Sequence, residues 1–147
     1  MTGIKQLQWS QWFALVNIDL HSIPSASGVY QIRWAIGKKP QPIERTNGTD
    51  DSGCLYIGKT VNLRRRISRL CRGIIHGTQT HTVSYDHTAA YTYTFYGFEK
   101  KIKPDQLEVR WGELPRNVIG EWEQELLEDY GAKYLDKPPL NISVRRR

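Results

Sequence analysis

The chain predicts an α+β domain, a small sheet with helices packed beside it, and three observations carry that expectation. Short segments of strand composition recur at 29–35, 54–57 and 107–111, rich in Val, Ile, Tyr and Trp and bounded by glycine. Two longer stretches, 63–74 and 116–130, instead repeat apolar residues at helical spacing. The 147 residues suit one domain with one core.

Composition narrows the class further. No run approaches the ~18 uninterrupted apolar residues of a membrane helix. Gln6, Gln8, Ser10 and Gln11 interrupt the region where a basic-then-apolar leader would lie, so a soluble, cytoplasmic protein is expected. Cys54 and Cys71 are too few for a disulfide framework or a cysteine-only zinc site and are expected as small buried apolar groups. A net charge of +6 and a pI near 9.4 favour a polyanionic partner. The charge is concentrated: Arg64, Arg65, Arg66, Arg69 and Arg72 fall within nine residues, and Arg145, Arg146 and Arg147 close a basic tail over 142–147.

Taken in order, residues 1–27 form an extension packed on the domain. Trp9, Trp12, Phe13 and Val16 fall at helical spacing and predict a short helix or turn there. After turn residues Ile23 to Gly28 comes a strand, 29–35, whose alternation places Tyr30, Ile32 and Trp34 on one face. From Gly37 to Gly53 the composition turns polar, predicting a long loop in which Asp50 and Asp51 serve solvated turn chemistry. A second strand then runs from Cys54 to a glycine turn at Gly58. Residues 76–88 predict a loop with surface histidines His76, His81 and His87, whose spacing matches no compact zinc motif. The alternation of Tyr and Thr over 90–98 predicts a strand with Tyr91, Tyr93 and Phe95 on one face. Residues 107–111 form the next strand, and Gly131 is expected to end the last helix.

Each helix carries one residue on the wrong face. Leu63, Ile67, Leu70 and Ile74 form the apolar stripe of the first, and Arg66 belongs to the same stripe, whereas Arg65, Arg69 and Arg72 point away and Arg64 lies on a flank. In the second, Ile119, Trp122, Leu126 and Tyr130 form the stripe, Glu121, Glu125 and Glu128 face away, and Glu123 lies within the apolar arc. Burying an unpaired charge is costly, so two readings stand: Arg66 and Glu123 pair in the core, or both line one cleft.

These pieces resemble the GIY-YIG nuclease family. Gly28-Val29-Tyr30 stands where its first signature triplet lies, and Tyr56-Ile57-Gly58 is the second. Lys59 follows it, Arg66 comes ten residues after Tyr56, Glu123 precedes Leu126-Leu127 in an E-x-x-L-L pattern, and Pro139-Leu140-Asn141 resembles the closing P-x-[YWL]-N element. The resemblance covers about 28–141. It departs from the family in the long 37–53 loop and in Leu70, which stands where some restriction-type members carry a histidine.

The resemblance implies a three-stranded antiparallel sheet flanked by helices and a divalent-metal-dependent DNA endonuclease. Restriction-type members are one branch; the alternatives are a structure-selective repair or mobile-element nuclease, or an inactive nucleic-acid-binding module. Glu123 would hold one Mg²⁺ or Mn²⁺, Arg66 would contact the scissile phosphate, and Tyr30 or Tyr56, influenced by Lys59 and Arg66, would help deprotonate water. Asn141 would lend its amide to the same cleft or cap a turn. Arg64, Arg65, Arg69 and Arg72 would contact the DNA backbone. Specificity would come from 1–27, 37–53, 75–105, or a partner subunit, including a homodimer. Gly58-Lys59-Thr60 imitates the end of a nucleotide-binding phosphate loop, but apolar strand residues separate it from Gly53, so a backbone phosphate is the expected target.

Overall fold

The structure, a computed structural model, describes residues 7–82 and 87–142. The arginines of the basic tail, Arg145 to Arg147, lie outside them. Along the chain run β1 (Phe13–Ala14), β2 (Gly28–Ile36), β3 (Lys39–Pro40), β4 (Ile43–Glu44), β5 (Thr49–Asp50), β6 (Cys54–Thr60), α1 (Leu63–Thr80), α2 (Thr88–Phe95), β7 (Leu107–Glu113) and α3 (Ile119–Tyr134).

The sheet is built on β2. It pairs antiparallel with β6 on one side, Gly28 opposite Thr60 and Tyr30 opposite Gly58, and with β7 on the other, Tyr30 opposite Trp111. These are the three predicted strands, and β1 and β3 extend them. Alternation sends Tyr30, Ile32, Tyr56 and Val109 toward α1, whose Leu63, Ile67, Leu70 and Ile74 are all buried against them. The opposite face buries Cys54 and Ile57 beneath Tyr130, Leu126 and Leu127 of α3. Gly28 is required at the centre, because a Cβ there would collide with the Gly112 carbonyl of β7.

Several sequence expectations give way to tertiary forces. Residues 9–16 are not a helix. They run along the outside of β7, with Phe13 opposite Val109, Ser10 N–H donating to Trp111 O (2.7 Å) and Leu15 N–H to Leu107 O (2.9 Å). The unpaired backbone of β7 outweighs a weak helical spacing, since a buried strand's polar groups need partners. Phe13 stacks on Trp111 at 5.0 Å, and the Arg110 guanidinium lies between Trp9 and Trp12 at 4.2 and 4.6 Å.

The 37–53 stretch is ordered by β3 and the β4–β5 pair. Asp50 is fully buried rather than solvated: it accepts from Ser52 N–H and Oγ, Cys54 N–H and the Tyr130 hydroxyl. A carboxylate in the interior persists when its lone pairs are all claimed this way.

Residues 90–98 do not form a strand. Thr88–Phe95 is helical and packs on α1, burying Ala89, Ala90, Tyr91, Thr92 and Tyr93. A helix surrounded by protein has no polar stripe to betray its period. Likewise α1 continues through Thr80, absorbing His76, and α3 runs past Gly131 to Tyr134, ending with Leu135 in the left-handed region (φ 52°). Tyr130 and Tyr134, their rings 4.7 Å apart and tilted by 50°, hold that last turn. An internal glycine costs about 1 kcal/mol and does not by itself stop a helix.

Candidate active site

The site grows from the register of β2 and β6. Tyr30 stands opposite Gly58, so its ring lies across the glycine; a Cβ there would come within 2.6 Å of the Tyr56 ring and 2.9 Å of the Tyr30 hydroxyl. The tyrosine of the first triplet thus dictates the glycine of the second. The two phenol rings sit 5.9 Å apart, tilted by 42°.

α1 begins just after β6 because Thr60 and Asn62 organise its first turn, Asn62 Oδ1 accepting from Arg65 N–H at 3.1 Å. That start projects Arg66 from the apolar stripe toward the tyrosines, where its charge and hydrogen bonding act on both. Burial holds both phenols above their ordinary range, Tyr30 well above it, and Arg66 opposes the shift. Tyr56 is also the tyrosine that feels Glu123.

Glu123 and Lys59 approach from α3 and β6, with Nζ 3.8 Å from Oε1. Glu123 is mostly covered and Lys59 half-exposed, with side-chain exposures of 24% and 49%. Burial raises the Glu123 carboxyl above its usual range, and Lys59 pulls it back. Arg66 and Glu123 form no ion pair among the described residues, so the core-pair reading gives way: each helix anomaly faces the site from its own side. The Lys59–Glu123 pair opens into a groove of about 660 Å³ lined also by Gly120, Gln124, Glu128 and Asn141.

Asn141 touches the site through the backbone. Its Oδ1 accepts from Ile57 N–H (3.0 Å) and its Nδ2 donates to Ile57 O (2.9 Å), fixing β6 between Tyr56 and Lys59. Among the helical arginines, Arg65 and Arg72 are exposed and Arg69 is partly covered. Arg64 Nε donates to Ile23 O at 2.8 Å, tying α1 to the chain before β2.

The residue that sequence reasoning missed is His87. It is 1% exposed, not a surface histidine, and its Nε2 lies 2.6 Å from the Tyr30 hydroxyl. Its ring packs edge-on against both tyrosines, at 6.0 and 5.6 Å. The signal was His87-Thr88-Ala89-Ala90: a hydrogen-bonding residue before two alanines is a helix start, and the Tyr/Thr alternation masked it.

Among the described residues, no group of three or more His, Cys, Asp or Glu could hold a metal ion. A single carboxylate is nonetheless a fitting anchor for Mg²⁺, which keeps several waters and takes the rest of its shell from substrate phosphate. No helix among the described residues is long and apolar enough to cross a membrane.

The sequence pattern of the GIY-YIG catalytic domain matches residues 26–134. That span takes in Tyr30, Tyr56, Lys59, Arg66 and Glu123 and stops short of Asn141. Comparison with curated proteins and with solved structures gives no match. With both signature triplets explained by one tyrosine lying across one glycine, and the matched span covering β2 through β7, the chain belongs to the GIY-YIG catalytic domain family of phosphodiester-cleaving nucleases.

Proposed function

We propose that this protein is a divalent-metal-dependent DNA endonuclease. The observation that carries the reading is the packing of Tyr30 and Tyr56 5.9 Å apart across Gly58, next to Lys59 and its partner Glu123 at 3.8 Å, with the Arg66 charge acting on both phenols. A phosphodiester needs its non-bridging oxygens neutralised while water attacks, and Arg66, on the tyrosine side, is placed to donate charge-assisted hydrogen bonds to them. Glu123 would hold Mg²⁺ or Mn²⁺, which when bound supplies Lewis-acid neutralisation of phosphoryl and leaving-group charge. Lys59, 3.8 Å from Glu123, would be free to donate to phosphate if that carboxylate held a metal ion.

A tyrosine that has first given up its phenol proton to solvent takes the proton of the attacking water as the water oxygen bonds to phosphorus. The bond from phosphorus to the 3′-oxygen breaks, and that oxygen leaves with a solvent proton. Tyr30 and Tyr56 are the candidates. Asn141 keeps β6 in register with both. Arg65, Arg69 and Arg72 extend the positive surface along α1, suited to backbone phosphates rather than bases, whereas Arg64 is partly committed to Ile23.

The test is nicking of supercoiled plasmid with Mg²⁺ or Mn²⁺. Cleavage by the wild type that is lost in Glu123→Ala is the expected result. Absence of cleavage on duplex, flapped and branched substrates alike would leave a binding module in place of an enzyme. Sequencing the ends cut from a random-sequence library then separates a restriction-type enzyme, which gives a fixed motif, from a structure-selective repair or mobile-element nuclease, which gives scattered ends.

A further inference from the structure

His87 is placed by α2, an element separate from those that carry the signature residues. It is the residue before the helix, with extended backbone (φ −152°, ψ 140°), and its Nδ1 accepts from the Ala89 N–H at 2.9 Å. That contact fixes more than position. A backbone N–H can only donate, so Nδ1 must present a lone pair; a proton on Nδ1 would face the Ala89 hydrogen. In the neutral ring the proton therefore sits on Nε2, the nitrogen 2.6 Å from the Tyr30 hydroxyl. His87 then donates to Tyr30, and Tyr30 cannot give its proton back to His87. The groups facing Tyr30 are His87 from α2, Tyr56 from β6 and Arg66 from α1. Arg66 is itself only a donor. The one acceptor left among them for the Tyr30 proton is the Tyr56 oxygen.

We propose that His87 is a positioning residue: the α2 N-cap locks it as the Nε2–H tautomer, its donation to Tyr30 turns the Tyr30 proton toward Tyr56, and Tyr56 is thereby the tyrosine whose deprotonated oxygen receives the proton of the attacking water. This rests on the nuclease reading. The direction of protons is set by a helix N-terminus two residues along the chain from the histidine, and it runs from Ala89 N–H through His87 and Tyr30 to Tyr56.

The tautomer can be read without catalysis. Long-range ¹H–¹⁵N spectra of the uniformly labelled full chain, without metal or DNA, distinguish Nε2–H from Nδ1–H imidazoles, and the His87 signals are those missing from His87→Asn. Nε2–H across neutral pH is expected; Nδ1–H overturns the assignment whatever the activity. His87→Asn keeps a capping oxygen near Nδ1 but loses the reach to Tyr30, whereas His87→Gln offers an amide N–H near Nε2. Cleavage is expected to fall at least about tenfold in His87→Asn, as for a lost catalytic hydrogen bond, with the alkaline-rising limb of its pH–rate profile moved to higher pH. Most of the rate is expected to return in His87→Gln. In a Tyr30→Phe background, His87→Asn is expected to cost nothing further.

Native rate and pH profile in His87→Asn overturn the proposal. So does a His87→Gln as slow as His87→Asn with an unchanged melting temperature, or a His87→Asn penalty that persists in the Tyr30→Phe background. An Nε2–H signal in a wild type that cuts nothing removes the nuclease reading, and the positioning role with it.

Discussion

At the scale of single residues, Arg66 and Glu123 were legible because a helix wheel exposes a charge on an apolar stripe, and that test uses only local spacing. The two triplets were legible through their resemblance to the GIY-YIG signature. His87 was not, because its burial is decided by α2 docking on α1, and no local pattern reports that contact. Asp50 escaped likewise: it looks like turn chemistry in sequence, but its fourth donor, the Tyr130 hydroxyl, arrives from α3. Two substitutions test the residues that were seen. Glu123→Gln removes a mostly covered carboxylate whose only ion-pair partner among the described residues is the half-exposed Lys59. Its melting temperature is therefore expected to stay level or rise slightly, the pair being worth ~1 kcal/mol or less, while nicking disappears. A marked drop in melting temperature would instead make the pair structural. Asn141→Asp keeps the acceptor for Ile57 N–H but sets an oxygen against Ile57 O, where Nδ2 now donates. Urea titration is expected to show a loss of about 1–3 kcal/mol; unchanged stability would mean that β6 holds its register without the clamp.

At the scale of elements, β2, β6 and β7 followed from composition and α1 and α3 from periodicity, whereas α2 and the N-terminal segment did not. Period-two alternation and helix burial compete in a short apolar run, and over 88–95 the winner is set by what surrounds the run. The 9–16 segment shows the converse, aromatic residues at helical spacing drawn straight by an open strand edge. Gly131 is the clearest local rule to fail, since α3 continues through it on the packing of Tyr130 and Tyr134. A Cβ at Gly131 would meet only Asp136 O, at 4.0 Å. Gly131→Ala is therefore expected to stabilise the protein by roughly 0.5–1 kcal/mol through helix propensity and a less flexible unfolded chain. Differential scanning calorimetry checks it, and a lower melting temperature would show that the glycine is needed where it stands.

At the scale of the whole molecule, both faces of the sheet bury tyrosines. Burial raises Tyr30, Tyr56, Tyr93 and Tyr130 in the folded chain. Unfolding returns each to ~10. Because the folded values lie above the unfolded ones, the neutral phenols stabilise the fold fully below pH ~10, and that contribution is lost as pH climbs from there through the folded values. The buried Cys54 thiol, pushed up to about 12, adds the same loss from a lower unfolded value of ~8.5, so urea unfolding is expected to show a shallow decline from pH ~8.5 and a steep one beyond pH ~10. A curve still flat near pH ~11 would mean that these hydroxyls reach solvent without unfolding. Two of the four also belong to the site, so the chemistry that favours a tyrosinate works against the interior that holds it, and Arg66 stands where those demands meet.

The two flanks of the sheet have a consequence for how copies of the chain meet. β7 carries the Ser10–Leu15 segment on its outer side, and β6 has the N–H and C=O of Ile57 taken by Asn141. Bare strand edges invite a neighbour's strand, the usual opening for runaway association. Here one edge is guarded by chain and the other by a single carboxamide. A twofold assembly of this nuclease is then expected to rest on side chains more than on a shared backbone ladder.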